Sequence, residues 1–188
     1  GPPNRRSPIL LPRGAMAIGH TTLVQPETVQ DHLRDPDWIV FDCRHALTDK
    51  AYGQRAYRES HLPGARFADV DHDLSAAITA VTGRHPLPDM AAFAQWLASR
   101  GVSSDSQLVA YDDSQGGMAA RLWWMARYLG HSRTSVLDGG FARWRKEGRP
   151  VTPEIPRVRQ GDFTAHPDPA LLAELAERLL GLVVEQVG

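Results

Sequence analysis

The residues from Leu108 to Arg121 have the types and order of a loop that could bind an anion. An apolar run at 108–111 is followed by helix-forming residues from about Met118, and the loop between them reads Asp112, Asp113, Ser114, Gln115, Gly116 and Gly117. Backbone N–H groups of a tight loop and of a helix N-terminus converge on one point, where a negative charge is stabilised. The residue at the loop entrance therefore decides the chemistry. Here it is the carboxylate of Asp112, where an enzyme with this layout would use a thiolate.

Asp112 admits two interpretations. As a nucleophile it would act like the aspartyl group of phosphotransferases, but that magnesium-dependent chemistry needs a second carboxylate two residues later, where Ser114 stands. As a structural group, its carboxylate would accept hydrogen bonds from the loop amides. We call this loop, residues 112–117, the cradle; in this interpretation an internal anion fills it. We favour the structural interpretation. The alternative is a single-domain hydrolase, which predicts magnesium-dependent phosphatase activity.

Cys43 is the one cysteine of the chain and the other candidate nucleophile. Arg44 and His45 follow it, but Asp49 stands six positions downstream, where a phosphatase cysteine needs a basic residue. Cys43 also follows a strand that we expect to be buried, so we predict an inert side chain. A single cysteine excludes an internal disulfide and a multi-thiolate metal site, and it suits a reducing, cytoplasmic location.

The remaining polar candidates are assigned structural roles. We expect Asp42 with Arg44, and Asp138 with the glycines after it, to hold loops through ion pairs and turn hydrogen bonds. Arg44 could instead line a pocket for an anionic substrate, because a planar guanidinium binds an oxyanion in a bidentate manner. The eight histidines show no pairing at metal-ligand spacing, so the sequence predicts no metal site.

Apolar runs and helical patterns alternate along the chain. The patterns predict strands at about 23–25, 38–41, 107–111 and 135–137, and helices at about 26–33, 90–100, 118–129 and 141–147. Strands that alternate with helices through short connections indicate an α/β fold with a parallel sheet. Ligands of such sheets bind near the carboxyl ends of the strands, and Asp42, Asp112 and Asp138 each follow such an end.

The length of 188 residues predicts one domain plus a fragment of another. We interpret residues 1–15 as a remnant of cloning before a native start at Met16, residues 16–150 as the domain, and residues 151–163 as an extended linker. From Pro169 a leucine-rich helical pattern begins, which has nothing of its own to bury against. We therefore predict that residues 164–188 open a second, incomplete unit. The net charge of −1 and the scattered basic residues argue against nucleic acid, and no apolar run is long enough to span a membrane.

Five ordered motifs lie between about Leu23 and Val151. They are Phe41-Asp42-Cys43-Arg44, His61-Leu62-Pro63-Gly64-Ala65, Val109-Ala110-Tyr111, Ala119-Ala120-Arg121-Leu122-Trp123-Trp124 and Val136-Leu137-Asp138-Gly139-Gly140-Phe141. Together they resemble the N-terminal domain of the two-domain sulfurtransferases of the rhodanese family, which use thiosulfate or 3-mercaptopyruvate. Two of the motifs depart from the family pattern, with Ser60 in place of a glycine and Phe141 in place of the commoner tryptophan.

The resemblance implies a rhodanese-like α/β domain, with a central parallel sheet flanked by helices on both sides. In active members a cysteine at the loop entrance carries sulfane sulfur as a persulfide from a small-molecule donor to a thiophilic acceptor, without metal or cofactor. Asp112 occupies that position here, so this chain alone is expected to be inactive. Its implied partner is its own C-terminal catalytic domain, whose beginning residues 163–188 resemble. The alternative is a stand-alone, non-catalytic rhodanese-like module that binds or regulates a protein.

Overall fold

A five-stranded parallel sheet forms the centre of the structure, a computed structural model that describes residues 19–174. The strands are β1 (Leu23–Val24), β2 (Trp38–Asp42), β3 (Arg66–Phe67), β4 (Gln107–Tyr111) and β5 (Thr134–Leu137). Their order in the sheet is β1-β5-β4-β2-β3, so the carboxyl ends of β5, β4 and β2 lie side by side. No helix in the described part of the chain is long and apolar enough to cross a membrane.

Both faces of the sheet are buried. Alternate residues of each central strand point to opposite sides, and an apolar cluster covers each side. In β2, Ile39 and Phe41 join one apolar cluster and Val40 joins the other. In β4, Leu108 and Ala110 likewise lie on the first face. This arrangement explains why the central strands are unbroken apolar runs rather than alternating patterns.

Five helices cover the two faces: α1 (Pro26–Asp31), α2 (Tyr52–Glu59), α3 (Met90–Ser99), α4 (Gly117–Tyr128) and α5 (Gly140–Lys146). Helices α3 and α4 bury apolar side chains in the first cluster, and α1 and α5 bury Val29 and Trp144 in the second. Helix α3 begins after Asp89, whose carboxylate accepts a hydrogen bond from the Ala92 amide at 2.8 Å. The predicted fold class, a parallel sheet with helices on both sides, is confirmed.

Two elements of the structure were not predicted from the sequence. Helix α2 is mostly polar and has no side-chain cap at Ala51, and its buried residues are Gly53 and Tyr57. Strand β3 contains only two residues, so pairing with β2 rather than local propensity defines it.

Residues 151–168 have little regular secondary structure, but they are held against the domain. Thr152 and His61 exchange two backbone hydrogen bonds of 2.8 and 2.9 Å. Further along, the amides of Gly161 and Phe163 donate to carbonyls at the end of α3 and in the loop after it, and Phe163 packs on the first cluster. The segment predicted as a linker is extended, and it follows the surface of the domain.

A helical segment begins at Pro169 and continues to residue 174, the last described position. Leu171 is half-buried and Leu172 is exposed. The other leucines of the predicted apolar stripe, Leu175, Leu179 and Leu180, lie outside the described residues.

Candidate functional site

The Asp112 carboxylate lies inside a ring of four backbone amides. Its Oδ1 atom accepts hydrogen bonds from the amides of Ser114 and Gly116 at 2.9 and 2.8 Å. Its Oδ2 atom accepts from those of Met118 and Ala119 at 2.8 and 2.9 Å. With both oxygens occupied and 1% of the residue exposed, the carboxylate cannot attack a substrate. The structural interpretation of Asp112 therefore has the hydrogen bonds that it requires, and the geometry does not favour the aspartyl nucleophile.

The backbone of the loop aims these amides inward. Gln115 and Gly116 adopt left-handed conformations with φ values of 66° and 89°, and α4 begins at the next residue. Gln115 is the one non-glycine residue with positive φ in the described part of the chain, a conformation that costs energy. Such left-handed turns make concave nests of amides that bind anions. The side chains of Asp113, Ser114 and Gln115 point outward and are exposed.

Helix α5 closes the other side of this loop. The amide of Phe141 donates a 2.9 Å hydrogen bond to the Asp112 carbonyl oxygen. A Cβ atom on Gly140 would lie 2.5 Å from that same oxygen, and the φ of Gly140 is +56°, so only glycine fits this contact. The glycines after Asp138 thus allow the turn at the start of α5 to contact the loop after β4.

A cleft of about 360 Å³ lies beside the loop, and its lining is apolar and acidic. Three carboxylate residues contribute to it, Asp112, Asp113 and Asp138, together with Leu23 and Val136. None of the described residues that line this cleft is lysine, arginine or histidine. An anionic substrate finds no opposite charge there.

Asp42 and Arg44 form a buried ion pair. The Arg44 Nη2 atom donates to Asp42 Oδ2 at 2.6 Å and also to the Ser60 carbonyl at 2.6 Å, and Arg44 Nε donates to both Asp42 oxygens at 3.1 Å. The Tyr111 hydroxyl donates to Asp42 Oδ2 at 2.7 Å. The guanidinium also stacks over the Phe141 ring, 4.0 Å from its centre. This network ties the carboxyl ends of β2 and β4 to the loop before β3.

The environment favours the charged pair and a neutral tyrosine. Burial lowers the pKa of the Arg44 guanidinium, but the hydrogen bonds and charge of Asp42 outweigh it and raise that pKa above its ordinary value. Burial, and then the charge of Asp42, raises the pKa of the Tyr111 hydroxyl well above its ordinary value. Arg44 is only 3% exposed, so the geometry supports the structural ion pair and not a pocket for an anionic substrate.

Asp138 has the loop-holding contacts that sequence analysis expected. Its Oδ2 atom accepts from Arg143 Nη1 at 2.7 Å and from Gln25 Nε2 at 3.2 Å. The Asp138 amide donates to the Val24 carbonyl at 2.9 Å. These contacts fix β1 and α5 to the carboxyl end of β5.

Cys43 is fully buried in the first apolar cluster. Burial, together with the carboxylates of Asp42 and Asp112, raises the pKa of the Cys43 thiol well above its ordinary value. A thiol is reactive only as the thiolate, so the structure places an inert cysteine here. The prediction that Cys43 is buried is confirmed.

Alkylation of Cys43 is therefore expected to require opening of the domain. In native protein near neutral pH, iodoacetamide should modify the thiol about 100-fold more slowly, or slower still, than in protein unfolded with guanidinium. Mass spectrometry at timed intervals measures both rates. The unfolded sample is the control for reagent activity, and a native rate close to the unfolded one would contradict the assignment.

The fold brings together three side chains that the sequence did not identify as a group: His45, Asp71 and His85. Their ligand atoms all lie within 4.8 Å of one another, and the distance from His85 Nδ1 to Asp71 Oδ1 is 3.4 Å. Burial lowers the pKa of His85. The Asp71 carboxylate opposes this shift, and the nearby His45, Arg121 and Arg84 side chains add to it. A neutral imidazole beside a carboxylate can accept a proton, and two imidazoles with a carboxylate can bind a metal ion.

Trp123 and Trp124 are adjacent in α4, so their side chains point in different directions from the helix. Trp124 packs against the first cluster. Trp123 lies on the outside, where its Nε1 atom donates to the Thr21 carbonyl at 2.8 Å and its ring contacts Arg127. Trp123 also lines a shallow apolar depression with Leu23, Ala120 and Val136.

The comparisons with known proteins agree with this geometry. A family model for the rhodanese-like domain matches residues 25–147. The chain is 46% identical over 156 residues to a probable 3-mercaptopyruvate sulfurtransferase of Pseudomonas aeruginosa, covering 82% of this chain and 55% of that protein. It is 38% identical over 165 residues to the thiosulfate sulfurtransferase of Bos taurus, covering 86% of this chain and 51% of that protein.

A solved structure shows the same fold. The 3-mercaptopyruvate sulfurtransferase from Leishmania major matches with a TM-score of 0.69 and 32% identity, covering 79% of this chain and 42% of that one. The chain spans about half the length of the curated relatives it matches. From the family match, the identities and the shared fold, we conclude that the chain belongs to the rhodanese-like domain family.

Proposed function

We propose that this chain is the non-catalytic N-terminal domain of a thiosulfate or 3-mercaptopyruvate sulfurtransferase. One observation carries the proposal: four amides that could stabilise a thiolate or persulfide instead bind the Asp112 carboxylate. A carboxylate does not accept sulfane sulfur. The position of Asp112 corresponds, by resemblance, to that of the cysteine in active members of the family.

The rest of the chain offers no substitute for that cysteine. Cys43, the one thiol, is buried with a raised pKa. None of the described residues that line the cleft beside the cradle is a lysine, arginine or histidine that could bind thiosulfate or mercaptopyruvate, which are anions. Transfer therefore requires a thiol and positive charges from elsewhere, which we assign to a C-terminal domain of the same protein.

A paired domain would find a suitable surface beside the cradle. The shallow depression formed by Leu23, Ala120, Trp123 and Val136 is apolar and lies next to Gln115 and Gly116. Leu23 is 57% exposed. Residues 151–168 run along the surface of the domain, which supports a following unit that packs against it. We propose that the catalytic copy begins near residue 164 and covers this face.

Sulfurtransferase assays on two proteins test this proposal. The 188-residue chain is expected to form no thiocyanate from cyanide with either thiosulfate or 3-mercaptopyruvate. A protein expressed from the full open reading frame is expected to form it with at least one of the two donors. Thiocyanate is measured as its coloured ferric complex.

A cysteine variant tests whether Cys43 takes part in the transfer. Cys43→Ala in the longer protein should leave the rate unchanged, because the thiol lies in the core and not at the transfer site. Thiocyanate formation by the short chain, abolished by Cys43→Ala, would overturn the proposal. Inactivity of both proteins with both donors would favour the alternative, a stand-alone rhodanese-like module that binds or regulates a protein. The cytoplasmic location stays a prediction.

A further inference from the structure

We infer that His45, Asp71 and His85 form a binding site for a divalent transition-metal ion, and that zinc is the ion their chemistry fits. The three residues come from two loops, one after β2 and one after β3. Two imidazole nitrogens and one carboxylate oxygen are a ligand set that zinc accepts, with a fourth position left for water. This site is distinct from the cradle around Asp112 and needs no sulfur chemistry.

The spacing of the ligand atoms supports the site. Zinc holds its nitrogen and oxygen ligands at about 2.0–2.2 Å, so two ligand atoms of a tetrahedral centre lie roughly 3.3 Å apart. The His85 Nδ1 to Asp71 Oδ1 distance of 3.4 Å already meets this value. All the ligand atoms lie within 4.8 Å of one another, so a side-chain adjustment of His45 would complete the set.

The hydrogen bonding of His85 supplies a second, independent observation. Both of its ring nitrogens are buried and neither has a hydrogen-bond partner among the described residues. Leaving such a group without a partner is energetically unfavourable. A metal ion would satisfy one nitrogen, and the 3.4 Å contact with Asp71 does not, because its geometry is not that of a hydrogen bond.

The backbone around His85 is held in position before any ion binds. Arg121 of α4 donates from Nη2 to the carbonyls of His85 and Pro86 at 2.9 and 3.1 Å, and from Nε to that of Leu74 at 2.8 Å. Ligands that are already positioned lose less entropy on binding. Arg121 and Arg84 also place positive charge near the site, so we expect an affinity on the order of micromolar rather than nanomolar.

Titration of the metal-free chain with zinc chloride in a calorimeter tests the inference. We expect one zinc ion per chain, and a melting temperature that rises with zinc because the ion joins two loops. His85→Ala and Asp71→Asn should each weaken binding on the order of 100-fold, since even residues that only orient a ligand contribute 10- to 100-fold.

His72→Ala is the matched control. His72 is exposed, is next in sequence to Asp71 and contacts Asp69 at 3.1 Å, so it could form a competing surface site. This variant should bind zinc like the parent chain. All eight histidines of the sequence lie in the described part of the structure, and Cys43 is buried, so few other ligands compete.

Cobalt provides a readout that does not depend on folding stability. Co²⁺ in the site should show the visible absorption of a four- or five-coordinate ion, and Asp71→Asn should lose it while keeping the circular dichroism spectrum of the parent. Absence of stoichiometric zinc binding, or equal binding by the parent and His85→Ala chains, would overturn the inference. Neither measurement uses a sulfur donor, so the result is independent of the proposed function.

Discussion

Replacing Asp42 by alanine is expected to lower the free energy of unfolding by about 3–5 kcal/mol, because the variant leaves the Arg44 guanidinium charged and buried without its partner. Asp42 is completely buried, and it binds both Arg44 and Tyr111. Few single substitutions cost this much, and those that do commonly break buried charge networks. Urea denaturation followed by circular dichroism measures the change.

Two variants separate the ion pair from general damage to the core. Tyr111→Phe keeps the Asp42–Arg44 pair but removes a hydroxyl that donates to the Asp42 carboxylate and accepts from the Leu62 amide, so it should cost about 1.5–3 kcal/mol. The double variant Asp42→Ala/Arg44→Met should be more stable than Asp42→Ala alone, because it removes the uncompensated charge. A double variant that is less stable than Asp42→Ala would count against the account.

Asp112→Ala is the second substitution with a large expected effect. It removes the acceptor of four buried or partly buried amides, and each unsatisfied amide costs energy. Water can enter from the adjacent cleft and offset part of the loss. We expect a decrease of about 2–4 kcal/mol in the free energy of unfolding, measured by urea denaturation.

The neighbouring carboxylate is the control for this substitution. Asp113 is exposed, and its carboxylate accepts a hydrogen bond from the Tyr52 hydroxyl, so Asp113→Ala should cost at most about 1 kcal/mol. Asp112→Cys tests the cradle without relying on stability. Its thiol should have a pKa below the usual value of about 8.5, read from the pH dependence of alkylation, while the buried Cys43 stays silent. An ordinary thiol pKa would show that the amides do not stabilise an anion.

Much of the fold could be predicted from the chain because its signals are local. The unbroken apolar runs of β2 and β4 indicate strands buried on both faces, and the glycine-bounded helical patterns of α3, α4 and α5 indicate the layers that cover them. Helix α2 escaped prediction because it is mostly polar, lacks a side-chain cap and buries Gly53 and Tyr57 rather than a run of large apolar residues, and strand β3 because two residues carry almost no periodicity.

Part of the cradle could be predicted from the sequence. An acidic residue at the end of an apolar run, followed by Gly116 and a helix, indicates an anion-binding loop whichever way the chain folds around it. The inward direction of each amide could not be predicted, because it depends on the left-handed conformation of Gln115 and on the contact between Asp112 and α5.

By itself, the sequence determined the α/β class, the acidic occupant of an anion-binding loop and the absence of a second thiol, because each follows from residue type and local order. Only the tertiary structure decided which polar groups meet. It buried the Asp42–Arg44 pair, held residues 151–168 against the domain, and brought His45 to Asp71 and His85. Except within the Asp42–Arg44 pair, these contacts join residues far apart in the chain, so the packing of strands, helices and loops, and not local residue order, sets their distances.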